Sequence, residues 1–193
     1  MKLSAIVALL FCSLALPEMA PAAQPPEATL PAASPRQDFT DAEEWFLKGL
    51  AANQAGRYQE AAEAFGRVIA MNPGDPQAHF NLGTALTFLG RYKEAAASLE
   101  VSARLDPDFA LAYANLAAVA IELKDWKLAA DAYRQLTRLQ PGNASAGYGL
   151  GHSLVELGEH EAARAEAEAL KLIDPALAEK LLEEINSHTR KPL

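Results

Sequence analysis

Thiol chemistry is all but missing from this chain: Cys12 is the only cysteine, and it lies in an apolar run near the N-terminus. Lys2 precedes that run, residues 3–16 carry no charge, Pro17 breaks it, and Ala20-Pro21-Ala22 supplies small residues after it. This order reads as an export address, so residues 1–22 are expected to be a signal peptide cleaved after Ala22, with Ala23 a near alternative. The run is too short to cross a bilayer comfortably, which disfavours an uncleaved anchor. A lipidated cysteine would need small residues before it, and Leu10 and Phe11 stand there instead. Without residues 1–22 the mature chain has no thiol, which excludes disulfides, thiolate metal sites and cysteine nucleophiles. It also keeps no transmembrane segment, and export without eukaryotic features points to a bacterial periplasm or to secretion.

Aromatic residues are also scarce, at 7%, and Lys and Arg never cluster. With a formal net charge of -8, the chain has nothing to neutralise a row of phosphates, so nucleic acid is excluded as a partner. Half of the 193 residues are apolar and alanine is abundant, which fits one domain of closely packed helices.

What is present in quantity is self-similarity. At a spacing of 34 residues, Gly49, Gly83, Ala117 and Gly151 share a column, as do Ala61, Ala95, Ala129 and Ala163. Pro73, Pro107, Pro141 and Pro175 share another. Within residues 76–109, Phe80, Leu82, Leu86 and Leu89 have helical spacing, and Ala95, Ala96, Leu99, Ala103 and Leu105 resume it after a break at Gly90-Arg91. Each unit therefore reads as two helices of about fourteen residues that cannot bury their apolar faces alone but can when stacked.

These columns resemble the tetratricopeptide repeat, over residues 42–177. The resemblance implies an all-α fold: a right-handed α-solenoid of four helical hairpins at residues 42–75, 76–109, 110–143 and 144–177. A capping helix and tail are expected over residues 178–193, where Leu181, Leu182 and Ile185 form an apolar stripe. Residues 23–41, with four prolines, read as a disordered tether, and Thr40 or Asp41 as the cap of the first helix. Fraying is expected after Asn186. Gly147 and Gly149 each cost a helix interior about 1 kcal/mol relative to alanine, so the first helix of the fourth repeat is expected to be the weakest internal element.

The resemblance also implies that the first helices line a concave groove that holds a polypeptide segment. Its columns put Phe46, Leu50, Phe80, Phe88, Leu111, Ile121 and Tyr148 there as apolar members. Asn81, Thr84, Asn115 and His152 are polar ones, alongside Asn53, Gln54, Gln77 and Thr87, and Glu43, Glu122 and Glu156 supply charge. Asn81 and Asn115 fall in one column of adjacent repeats, where their amides are able to hold a ligand main chain whatever its side chains. The Lys and Arg of a carboxylate clamp are absent, so apolar or basic segments are the expected ligands. The alternatives are a scaffold that joins partners or copies of itself through the convex second helices, with Glu63, Arg67, Lys93, Glu100, Arg134 and Arg138, and an accessory unit that recruits a cell-wall enzyme.

Other motifs point nowhere. Gly147-Tyr148-Gly149-Leu150-Gly151 misses the phosphate-loop spacing, and Gly151-His152-Ser153 is no nucleophile elbow. His152 and Glu156 lie one turn apart without further ligands, so neither a metal, a cofactor nor a catalytic site is expected. Asn143-Ala144-Ser145 matches a glycosylation acceptor but is expected to serve as a helix cap.

Overall fold

The 34-residue period becomes a period of helix pairs. A computed structural model describes residues 35–189, with side chains from residue 41 onward. Among them are α1 (Pro35–Gln54), α2 (Tyr58–Met71), α3 (Pro76–Phe88), α4 (Tyr92–Leu105), α5 (Ala110–Glu122), α6 (Trp126–Leu139), α7 (Ala144–Glu156), α8 (His160–Leu170) and α9 (Pro175–Thr189). Each odd helix pairs with the next even one, each hairpin packs on its neighbour, and α9 covers α7 and α8. The described residues contain no strand, and none of their helices is long and apolar enough to cross a membrane.

The turn inside each hairpin is built the same way. Gly56, Gly90, Lys124 and Gly158, one column of the repeat, all have positive φ. At each, the following N–H reaches back to close the first helix: Arg57 to Ala52 at 2.9 Å, Arg91 to Leu86 at 2.9 Å, Asp125 to Ala120 at 2.9 Å and Glu159 to Leu154 at 2.8 Å. This is the left-handed C-terminal cap that satisfies helix-end carbonyls. Lys124 alone carries a side chain into that conformation, at φ 55°.

Helix starts follow a second rule. Asp75 accepts from the backbone N–H of Gln77 (2.8 Å) and Ala78 (3.1 Å), with Pro76 opening α3. Asn143 accepts from Ala146 N–H at 3.0 Å, the capping role expected of it. Asp174 accepts from Ala176 (3.0 Å) and Leu177 (3.1 Å), repeating the Asp75 arrangement.

That last cap corrects the reading of Pro175. It does not close α8 as Pro73, Pro107 and Pro141 close their helices; it opens α9, three residues before residue 178. The reason is that α8 tightens early, with Leu172 N–H bonded to Ala169 (3.3 Å) and Ile173 N–H to Leu170 (2.9 Å). The first helix is corrected too. It begins at Pro35, so residues 35–41 are helix rather than tether and neither Thr40 nor Asp41 sits at its cap. The rest of the expected tether and the signal peptide lie outside the described residues. At the far end, α9 runs through Asn186 to Thr189 rather than fraying, with His188 Nδ1 3.0 Å from the Glu184 carbonyl oxygen.

Close helix approach explains the small-residue columns. A Cβ on Gly83 would sit 2.6 Å from Leu99 Cγ, and one on Gly151 would overlap Leu181 Cδ2. In α7, Gly149 lies against Tyr133 in the same way, and this helix buries eight residues, more than any other. Its glycines are a packing requirement, and burial offsets their intrinsic helix penalty.

Two stability outcomes follow. Lys124→Gly relieves a left-handed side chain and should stabilise the protein by about 1 kcal/mol in chemical denaturation. Gly151→Ala should destabilise it by roughly 1–3 kcal/mol, despite alanine's better helix propensity, because the methyl overlaps Leu181.

Candidate functional site: the inner helix face

The first helices sit on the inner side of a curved stack. α1 touches α3 and α3 touches α5 directly, whereas α2 and α4, or α4 and α6, do not meet to the same extent. Elements that crowd are on the short side of a curve, so α1, α3 and α5 lie on the inner side, and α7 holds the same position in the fourth hairpin.

A gap on the splayed side shows the converse. A cavity of about 410 Å³ opens between α2 and α4, with Leu82, Leu86 and Ala62 on its floor and Glu63, Arg91 and Glu94 among its walls. One repeat later the column of Glu94 holds Leu128, which packs into the core. Glu94 instead turns to Arg91 at 2.6 and 2.8 Å, and the space stays empty.

Three of the four first helices are poor in charge. α3, α5 and α7 contain no Lys or Arg, and their only acidic residues are Glu122 and Glu156 at the C-terminal ends. Phe88 (62% exposed) and Leu111 (58%) present the most apolar surface among the expected groove residues. Phe88 stacks on Tyr58 with ring centroids 4.4 Å apart. The other rings are partly committed to packing. Phe46 stands edge-on to Phe65 at 5.6 Å and Phe80 tilts over Phe109 at 4.9 Å. Leu50 packs on the first core cluster, and Ile121 is half-buried.

The asparagine column is resolved by its hydrogen bonds. Asn81 Nδ2 donates to the Gln77 carbonyl of its own helix at 2.8 Å. Asn115 Nδ2 donates 3.0 Å to Thr84 Oγ1 in the preceding repeat, and Thr84 passes its own proton to the Phe80 carbonyl at 3.0 Å. Each amide keeps its oxygen and one N–H for a ligand, but the link between repeats is Asn115 to Thr84. Asn81 and Asn115 are not bonded to each other.

Tyr148 and His152 are engaged by α9, a partner the sequence pattern did not reveal. Tyr148 donates its hydroxyl proton to Glu184 Oε1, and His152 Nδ1 lies 3.0 Å from Glu184 Oε2. Because a carboxylate only accepts, His152 holds its proton on Nδ1. Lys180 sits 4.6 Å over the Tyr148 ring and Trp126 meets His152 edge-on at 5.7 Å. Glu156, which shares a helix face with His152, pairs instead with His188 at 3.5 Å. No group of three or more metal-ligating side chains occurs among the described residues. Burial, the Tyr148–Glu184 hydrogen bond and the carboxylate's charge all raise the Tyr148 phenol above its usual range. Burial raises Tyr133 too.

At the opposite end, a cavity of about 290 Å³ lies where α1, the end of α2 and the start of α3 meet. Phe46, Glu43 and Gln77 line it, as the groove columns imply; Val68, Asn72 and Asp75, which no groove column contains, complete it.

Comparison with known proteins gives this geometry its class. The family model described as tetratricopeptide repeat matches residues 46–110, 88–144 and 115–178. The chain belongs to the tetratricopeptide-repeat family. A search of curated proteins finds no match. Solved structures share the fold: a crystal structure of MamA superposes with a TM-score of 0.65 at 22% identity, over 79% of this chain and 88% of that one. YrrB, described as having an unusual peptide-binding site, gives 0.65 at 16% identity over 79% and 89%. The first repeat domain of Spaghetti (RPAP3), bound to the HSP90 peptide SRMEEVD, gives 0.57 at 22% identity over 62% and 94%.

A phenol with a raised folded-state pKa adds stability below its unfolded value and loses it as pH rises through the folded one. Phenolate absorbance should therefore show Tyr133 and Tyr148 ionising above the usual phenol range, with the melting temperature falling as they do. Glu184→Gln should lower the Tyr148 midpoint and leave Tyr133 unchanged.

Proposed function

We propose that this protein is a non-enzymatic adaptor that holds a segment of another protein against the inner faces of α1, α3, α5 and α7. The observation that carries the reading is the surface itself: three successive first helices without Lys or Arg, presenting Phe88 and Leu111 beside the spare valences of Asn81 and Asn115. Such a face suits an extended chain, with amides to meet its backbone and apolar patches to meet its side chains. Peptide binding by YrrB and by the Spaghetti domain on the same fold supports it. The ligand is an apolar or basic segment, since no cation lines these three helices to grip a carboxylate. With the export address of residues 1–22, the place of action is the bacterial envelope and the role an assembly one.

A triple variant, Phe80→Ala with Asn81→Ala and Asn115→Ala, should reduce partner capture from envelope extract by more than about tenfold while the fold persists. Undiminished capture would refute groove recognition.

The cavity between α2 and α4 favours a second reading, a scaffold that joins partners or copies of itself through the outer helices. A dimer in sedimentation that survives the triple variant and is lost in Ala97→Trp, at an exposed wall of that cavity, would select it.

A further inference from the structure

We infer that the cavity at the junction of α1, α2 and α3 is a subsite for one basic side chain, lysine or arginine, of the bound segment. The inference rests on the groove reading above and adds to it the residue type that anchors the ligand's end.

The chemistry of the walls makes the choice. Phe46 and Val68 give an apolar floor, Glu43 and Asp75 contribute two carboxylates, and Asn72 and Gln77 supply amide groups. No Lys or Arg lines the cavity. A long cationic side chain matches this order, because its methylene stem covers apolar surface while its head stays among acceptors. A purely apolar side chain would leave the carboxylates facing it, and an acidic one would be repelled.

The nearest cations among the described side chains are held elsewhere. Lys48 and Arg67, the basic residues of α1 and α2 whose side chains are described, both stack on Trp45, at 4.3 and 4.5 Å from the ring centroid. α3 has no basic residue. The N-terminus of α3 opposes a cation with a partial charge of roughly +0.5, but Asp75 Oδ1 already accepts from its first free N–H groups, and two carboxylates outweigh the remainder.

Size sets the scale of the occupant. At about 290 Å³ the cavity falls just under the roughly 300 Å³ where small-molecule pockets begin, which suits a single side chain rather than a free metabolite. It lies beside Phe46 and Gln77, at one end of the inner face that continues past Phe80 and the Thr84–Asn115 bond to the helix α9 contacts.

The test uses the full mature chain and pools of decapeptides rich in apolar residues, N-acetylated and C-amidated so that no terminal charge contributes. One fixed position carries Lys, Arg, Gln or Glu, and binding is read by fluorescence anisotropy. The Lys and Arg pools should bind about tenfold tighter than the Gln pool at low salt, with the gap narrowing as salt rises. In the double variant Glu43→Gln, Asp75→Asn the gap should close while the Gln pool binds as before; asparagine keeps the α3 cap, and Glu43→Gln alone leaves that cap untouched and should give part of the effect. Equal binding of all pools, or a basic preference that survives both substitutions, overturns the subsite and leaves groove recognition standing. If no pool binds the wild-type chain, both readings fall.

Discussion

Where α3 crosses α4, the backbone of Gly83 runs so close to Leu99 that no side chain fits between them. This close crossing is the constraint on which the array depends. It recurs as Gly49 against Phe65 and Gly151 against Leu181, and it fixes how far apart two helices of a stack can lie. Once that distance is set, each hairpin leaves one apolar face that only the next hairpin can bury. The three core clusters therefore lie along the stack, joining consecutive hairpins rather than meeting in one centre. Polar bonds then pin the phase between and within repeats: Asn115 to Thr84 across two hairpins, and Ser102 Oγ to the Pro76 carbonyl at 2.8 Å within one.

The period constrains the scaffold but leaves the faces free to diverge. In the outer row, Glu94 borders an open cavity where its column one repeat later holds Leu128, which packs on the core. In the inner row, the two ends differ in kind. One holds carboxylates around an apolar floor, and the other is occupied by Glu184, which α9 brings onto Tyr148 and His152. A chain lying along the inner face would meet an open acidic end and a closed one, so the surface distinguishes the two directions in which a polypeptide can run.

Much of the fold is legible in the sequence because repetition multiplies a weak signal. One glycine column or one proline column decides little, but the columns of Gly83, Ala95 and Pro107 together, copied in phase, leave one architecture. The errors fall where the copying stops. Pro175 keeps its column yet changes its task, because α8 tightens at Leu170 and Asp174 becomes a cap. α1 extends back to Pro35, ahead of the first column of the repeat. What the columns say about the candidate site is limited for a related reason. The column rule put Thr84 and Asn115 on facing helices, where they meet, but it cannot see hydrogen-bond partners. Asn81 turning to its own backbone, and Glu184 reaching Tyr148 and His152, depend on side-chain reach rather than on register. Val68, Asn72 and Asp75 were missed because they belong to the end of a second helix, which the rule assigns to the outside. The shared Asp-Pro dipeptide at 75–76 and 174–175 was the available clue.

The early start of α9 bears on what closes the last hairpin. Starting at Pro175 gives α9 fifteen residues against thirteen in α3, α5 and α7, while Ile185 stays in the column of Gly83, Ala117 and Gly151 and is buried as they are. Leu181 lies against Gly151, and Glu184 reaches Tyr148 and His152. A chain cut before Pro175 would therefore uncover an apolar seat and two polar rings at once.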